Sequence, residues 1–166
     1  MAASTSKKVI VERFDREPAP GYVVYQTFAT AAGVEILTPS ATAATYPLAE
    51  VKAVHFVKEF EDGTIGPDQR AFVTRPKSAG LWVRLVFRDG DQLEGLLPND
   101  LTQIEALGYT ITPPDRAGNS QRVFVPREAL RELRVLGVVG SPLNEPKPKR
   151  AARPRADQDQ IGLFDE

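Results

Sequence analysis

Apolar and polar positions alternate along two stretches of this chain in the same order. In the first, Val9 and Val11 precede a polar turn at Asp15 and a resumption at Gly21; in the second, Val83, Leu85, Asp89 and Gly95 repeat that order at a constant offset. Residues 8–14 read as a strand. Residues 15–20 read as a turn, because two prolines fix φ and remove ladder donors. Residues 21–28, with Tyr22, Val23, Val24 and Tyr25, complete a hairpin. Residues 33–37 are a third strand, followed by Thr38, Pro39, Ser40 and an Ala/Thr-rich stretch that reads as loop. In residues 51–60, Val51, Ala53, His55 and Val57 fall on one face and Val54 and Phe56 on the other. Apolar residues on both sides of a strand predict that both faces are covered.

The second stretch follows the first element by element. Gly33-Val-Glu-Ile-Leu-Thr-Pro39 corresponds to Gly108-Tyr-Thr-Ile-Thr-Pro113, and the segment from Pro47 to Val57 to that from Pro126 to Leu136. An internal repeat implies one fold used twice. It also decides an ambiguous segment: residues 126–134 have helical propensity, but their partner is strand-like, so a brief turn and a strand over 130–136 are predicted. Asp89-Gly90 predicts a tight hairpin turn. Asn99 or Asp100 caps a helical turn carrying Leu101, Ile104 and Leu107. Residues 71–74 read as a short edge strand inside a connector, residues 115–120 as a loop and residues 121–125 as a strand. Beyond Gly140, Pro, Lys, Arg, Ala and Asp predominate, which predicts a disordered tail. The fold class expected is all-β: two tandem small β barrels from an internal duplication at residues 8–60 and 81–139, joined by a connector at 61–80 and followed by a tail at 140–166.

Composition narrows the function classes. With 166 residues each half is near the minimum for a self-sufficient core. The net charge of −1 creates no global field for nucleic acid or acidic membrane, and the absence of cysteine removes disulfides and thiolate chemistry. The first residues have no apolar core segment of the secretory kind, and no stretch approaches the ~20 apolar residues of a membrane helix. A cytoplasmic protein without membrane association is expected.

The strand-turn-strand opening, Val-x-Val then Asp then Gly, with Pro47-Leu-Ala-Glu-Val-Lys-Ala-Val-His-Phe-Val57, resembles the Sm-like family of five-stranded, SH3-like barrels. The closer likeness within that resemblance is to tandem modules of uncharacterised bacterial proteins. Val83-Arg-Leu-Val-Phe-Arg-Asp-Gly90 and Asn119-Ser-Gln-Arg-Val-Phe-Val125 carry the same likeness in the second copy, so the resemblance covers residues 8 to 137. RNA-binding members carry an Asp and an Asn on the second and third strands and an Arg-Gly or similar pair on the fourth. Residues 22–28 have neither the acid nor the asparagine, and the fourth strand reads Lys52-Ala-Val-His-Phe56, so that base pocket does not transfer. Two barrels in one chain also have the means to pair their edges internally.

Candidate chemistry in the body is sparse. His55 is the single histidine, with no nucleophile motif or metal-ligand spacing around it; it reads as a half-buried strand residue. Glu59, Glu61 and Asp62 lie in a Gly-containing turn, where charge keeps a loop in water. Trp82 and Tyr22 read as core or interface aromatics. Neither a catalytic residue nor a cofactor or metal site is expected, and the chain reads as non-enzymatic. The tail is richer. Lys147, Lys149, Arg150, Arg153 and Arg155 form a basic run without an acid, which reads first as linker and second as a weak nucleic-acid contact. Then come Gln160, Ile161, Gly162, Leu163 and Phe164, which resemble the peptide by which bacterial proteins dock on the replication sliding clamp. That resemblance implies that the Gln160 amide anchors while Leu163 and Phe164, with Ile161 beside them, fill an apolar pocket. Two alternatives stand beside this adaptor reading. RNA or single-stranded DNA binds the barrel faces through Lys52, Lys58, Arg84, Arg88 and Arg122; or the tail folds back on a structural or peptide-binding β protein.

Overall fold

The computed structural model describes residues 5–60, 65–115 and 117–140. The protein is all-β, with strands β1 (Ser6–Arg13), β2 (Ala19–Val24), β3 (Ala29–Thr30), β4 (Gly33–Leu37), β5 (Ala43–Tyr46), β6 (Val51–Val57), β7 (Gly80–Phe87), β8 (Gln92–Leu97), β9 (Gly108–Ile111), β10 (Ser120–Pro126) and β11 (Leu130–Val139). They form two sheets. The larger has the order β3-β4-β2-β1-β6-β10-β9, with β5 on β4; the smaller is β11-β7-β8. A bridge between Leu96 and Thr112 connects β8 to the end of β9.

The same pairings occur in both halves. β1 pairs with β2 and β6, and β7 with β8 and β11. Val9 faces Gly21 and Phe56; Val83 faces Gly95 and Val135. Val11 faces Val54, and Leu85 faces Leu133. β4 pairs with β5 through Ile36 and Ala44, and β9 with β10 through Ile111 and Val123. Tyr22 meets Leu37 as Leu96 meets Thr112. At both crossings a glycine permits the close approach: a Cβ on Gly21 would lie 2.8 Å from the Leu37 carbonyl oxygen, and one on Gly95 would lie 3.0 Å from that of Thr112.

Among the described residues these strands close no barrel, contrary to the expectation from sequence. β6 has two ladder edges; β1 takes one and β10, from the second half, takes the other. No edge of β6 remains for β5, so the first half stays open and its sheet continues into the second. Phe124 fills this joint. It faces Val54 across the ladder, is fully buried, and meets Phe28 edge-on at 5.1 Å between ring centroids. Its neighbours Val123 and Val125 point the other way, into a core with Val83, Leu85, Phe87 and Ile111, while Phe124 joins Val9, Val11, Val34 and Val51. One strand thus carries both cores on its two faces.

Several local expectations hold and others change. The segment after Pro126 is a 3-10 turn, Arg127–Ala129, and then strand. The turn near residue 100 is also 3-10, Leu101–Gln103, with the Asp100 carboxylate accepting from the Thr102 amide. Residues 43–46 form β5 rather than loop: small Ala and Thr side chains give no alternation to read, but pairing with β4 supplies the ladder. Residues 71–74 are not a strand. The Phe72 amide donates to the Glu94 carboxylate and the Arg70 carbonyl accepts from the Glu94 amide, which directs this backbone to a single residue of β8.

Candidate functional site

The joint between the halves holds a cluster of ionised side chains that propensity alone would keep out of a strand interior. Lys52, on β6, is 6% exposed. Its ammonium donates to Asp89 Oδ2 at 2.7 Å and Asp91 Oδ2 at 2.5 Å, both on the β7–β8 turn, and lies 3.8 Å from Glu12 Oε1 on β1. Burial pushes Lys52 toward neutrality, but the hydrogen bonds it donates to Asp89 and Asp91 and the charge of Glu12 outweigh it and raise its pKa. Burial likewise pushes Glu12 up, while the His55 hydrogen bond and the charges of His55, Lys52 and Arg70 bring it below its ordinary value. The second half is thereby clamped onto the first. Arg88 adds a hydrogen bond to the Ala49 carbonyl and lies 3.8 Å over the Phe14 ring.

His55 belongs to the same cluster and is buried rather than half-buried, at 2% exposure. Nε2 meets Glu12 Oε2 at 2.8 Å, and Nδ1 meets Ser120 Oγ at 3.5 Å. Serine, histidine and carboxylate in line have the composition of a nucleophile, base and orienting acid. Ser120 is 1% exposed, however, and Gly66 lies against the imidazole, so no carbonyl substrate reaches the hydroxyl. The line satisfies polar groups in a buried joint. Sequence spacing gave no sign of it, since Glu12 and Ser120 are 43 and 65 positions from His55.

An accessible groove of about 550 Å³ runs along the same joint, lined by Thr5, Lys7, Tyr25, Gln26, Phe56, Gln121 and Arg122. The Arg122 guanidinium lies 5.9 Å from the centre of the Tyr25 ring and donates to its hydroxyl at 3.3 Å. Tyr25 is braced from behind by Phe56, at 5.5 Å between centroids, which meets Phe28 edge-on. Two cations, two amides and a supported aromatic face converge here, and among the described residues no carboxylate lines the groove. Such a set suits a planar, anionic ligand, with the ring as platform and the cations as phosphate contacts.

The five cations considered for the barrel faces do not come together. Arg122 alone of them lines the groove. Lys52 is enclosed by carboxylates, Arg84 donates to Glu94 Oε1, Arg88 bonds the Ala49 carbonyl, and Lys58 donates to the Ala117 carbonyl. Lys7, Tyr25 and the two glutamines were not anticipated, because their meeting depends on the pairing of β6 with β10. Glu59 accepts from Lys8 at 2.8 Å, whereas Glu61 and Asp62 lie outside the described residues. Tyr22 stacks edge-on with Phe60, and Trp82 donates its indole N–H to Glu94. The tail residues Lys147, Lys149, Arg150, Arg153, Arg155, Gln160, Ile161, Leu163 and Phe164 also lie outside the described residues. Among the described residues no helix is long and apolar enough to cross a membrane.

The chain belongs to a family of unknown function (DUF6982), which matches it over residues 5–137. That span takes in both halves and ends before the basic run. No curated protein and no solved structure matches it.

Proposed function

We propose that this is a non-enzymatic cytoplasmic adaptor: a body of two Sm-like modules derived by duplication, whose C-terminal Gln160-Ile-Gly-Leu-Phe164 docks on the replication sliding clamp. The duplication is supported by the matched ladder registers, down to Gly21 and Gly95 at the same crossing. The pentapeptide, preceded by a long Pro- and Lys/Arg-rich segment, is the observation that carries the docking. Leu163 and Phe164 supply the buried apolar anchors such a peptide needs, and Gln160 the directional amide. The burial of Ser120 and His55 supports an adaptor over a hydrolase. Tethering then raises the concentration of the body near replicating DNA.

The test is fluorescence anisotropy of a labelled peptide of residues 155–166 titrated with sliding clamp. Saturable binding that is lost on Gln160→Ala and on Phe164→Ala is expected. Equal binding by the alanine peptides, or none by the native one, rejects the docking.

The groove at Tyr25 favours a second reading, single-stranded nucleic acid on the body itself, with Lys7 and Arg122 contacting phosphates. Stacking on a ring is worth about 1–3 kcal/mol per base. Tyr25→Ala is therefore expected to weaken oligonucleotide binding by about tenfold or more, and Arg122→Ala to weaken it and flatten its salt dependence. Binding indifferent to both substitutions rejects this reading.

A further inference from the structure

The far edge of β6 is closed by β10; the far edge of β11 is not closed. β11 is ten residues long and pairs with β7 on one side, and among the described residues no strand lies on its other side. Leu133 and Val135 hold the places in the second half that Val54 and Phe56 hold in the first, since Leu133 faces Leu85 as Val54 faces Val11, and Val135 faces Val83 as Phe56 faces Val9. Val54 and Phe56 are buried, whereas Leu133 is half-buried and Val135 is 51% exposed. The second core therefore has an open flank where the first has Phe124. A long edge with apolar side chains is a template for another strand.

Among the edge strands of the described residues, β5 and β11 of a second copy are the two to weigh, β5 as the counterpart of β10 and β11 as its own partner. β5 occupies the place that β10 has in the second half, with Ala44 facing Ile36 as Val123 faces Ile111. Its Thr45 would then stand where Phe124 stands, and a threonine leaves the flank unfilled. β11 fits itself better. Leu133 and Val135 point to the core side, and Glu132 and Arg134 to the other. We infer that two copies of this chain join edge to edge through β11, antiparallel about a two-fold axis, with Leu133 facing Leu133 of the second copy.

Charge fixes the register. With Leu133 on the axis, Glu132 faces Arg134 of the second copy, twice. Because side chains alternate between faces, the nearest slips that keep the core sides together move the pairing by two residues. One sets Glu132 against Glu132, the other Arg134 against Arg134, and like charges directly opposite are destabilising. The joined register also completes a row. Arg84 faces Glu94 on one side and Arg134 on the other, so two cations stand adjacent within one chain. Glu132 of the second copy flanks them with an acid at each end. Within one chain Arg134 already donates to Glu132 Oε1 at 2.8 Å, so joining sets two such pairs side by side with opposite charges facing across the axis; the contact of Arg75 with the Val138 carbonyl, at 2.9 Å, lies beyond residues 132–134 and is left in place.

Sedimentation velocity of the full chain over a range of concentrations tests the association, with a dimer of the 18.2 kDa chain expected. Glu132→Arg is expected to weaken the dimer by about tenfold or more, and Glu132→Arg with Arg134→Glu to restore it. Because the chain has no cysteine, Leu133→Cys reports the axis directly: mild oxidation is expected to give a disulfide-linked dimer. A monomer at every concentration overturns the inference, as does a dimer unchanged by Glu132→Arg. Cross-linking between Thr45→Cys and Leu133→Cys chains in place of Leu133→Cys homodimers would also overturn it, by assigning the edge to β5. The charge variants sit on the solvent side of an edge strand, so they keep the test decisive if Leu133→Cys impairs folding.

Discussion

β6 and β11 hold the same place in their halves, each pairing with the opening strand of its hairpin in the same register, yet all seven residues of β6 are buried and only Val139 of β11 is. Composition does not account for the difference, because β6 carries Lys52 and His55 and β11 carries Leu130, Leu133, Val135 and Leu136. What differs is the neighbour. β10 lies on β6 and brings Phe124 to one core, Val123 and Val125 to the other. The polar side chains of β6 are sustained there because Glu12, Asp89, Asp91 and Ser120 converge on them, while Arg131 and Arg134 of β11 are exposed.

Removing the neighbour's contribution is the sharpest way to test that account. Phe124→Ala empties the joint and is expected to lower unfolding free energy by about 3–5 kcal/mol in urea denaturation. Lys52→Met comes next. It leaves Glu12, Asp89 and Asp91 without their shared cation, and breaking a buried ion pair from one side costs about 3–5 kcal/mol; because Asp89 and Asp91 remain partly exposed, about 2–3 kcal/mol is expected. If both substitutions proved as mild as a surface change, the joint would not be what distinguishes the strands.

The same substitution has a pH signature. Glu12, Asp89 and Glu94 are held below their ordinary values despite the upward push of burial, Asp89 chiefly by Lys52, and Glu94 by Arg84, the Phe72 amide and Trp82. A carboxyl with a lowered folded pKa contributes stability that is complete above its ordinary value and is lost as pH falls through the folded one. Lys52, held above 10.5, contributes stability that is complete below that value and is lost as pH rises through its higher folded value. Urea midpoints are therefore expected to decline on both the acid and the alkaline side. Lys52→Met is expected to remove the alkaline decline from this source and to shallow the acid one, leaving the parts due to Glu94 and to the His55 and Arg70 partners of Glu12.

The reach of sequence reading follows the same division. Strands with alternating apolar residues were legible, and residues 126–136 were read against their helical propensity because their repeat partner is strand-like. β5 was not, since Ala43, Ala44 and Thr45 have nothing to alternate. Nor was the closure: pairing β6 with β10 is a choice between edges made by Phe124 and its surroundings, and no local pattern encodes it. For this reason the cations read from sequence scattered, with Arg122 alone reaching the groove, and His55 found Glu12 and Ser120 unannounced.

The equivalence of the halves predicts effects of matched size where their backbones cross. Gly21→Ala would place a Cβ 2.7 Å from Ile36 Cδ1 and 2.8 Å from the Leu37 oxygen; Gly95→Ala would place one 2.6 Å from Ile111 Cδ1 and 2.9 Å from its Cβ. Backbone and Cβ atoms cannot swing aside, so each is expected to cost about 1–3 kcal/mol. Agreement within about 1 kcal/mol supports one geometry used twice, and a large disparity breaks it.

The smallest effect belongs to the open edge. Val135→Thr keeps the side-chain shape and the β-branched preference for strand, exchanging a methyl for a hydroxyl that at 51% exposure still meets water. In dilute protein, where each chain unfolds alone, a change within about 0.5 kcal/mol is expected. At Phe56, the equivalent position under β10, the ring is buried at the floor of the groove against Tyr25 and Phe28, and Phe56→Ala is expected to cost about 3–5 kcal/mol. A loss above about 1 kcal/mol for Val135→Thr under dilute conditions would mean that this edge is already covered within a single chain, and the contrast between β6 and β11 would have to be withdrawn.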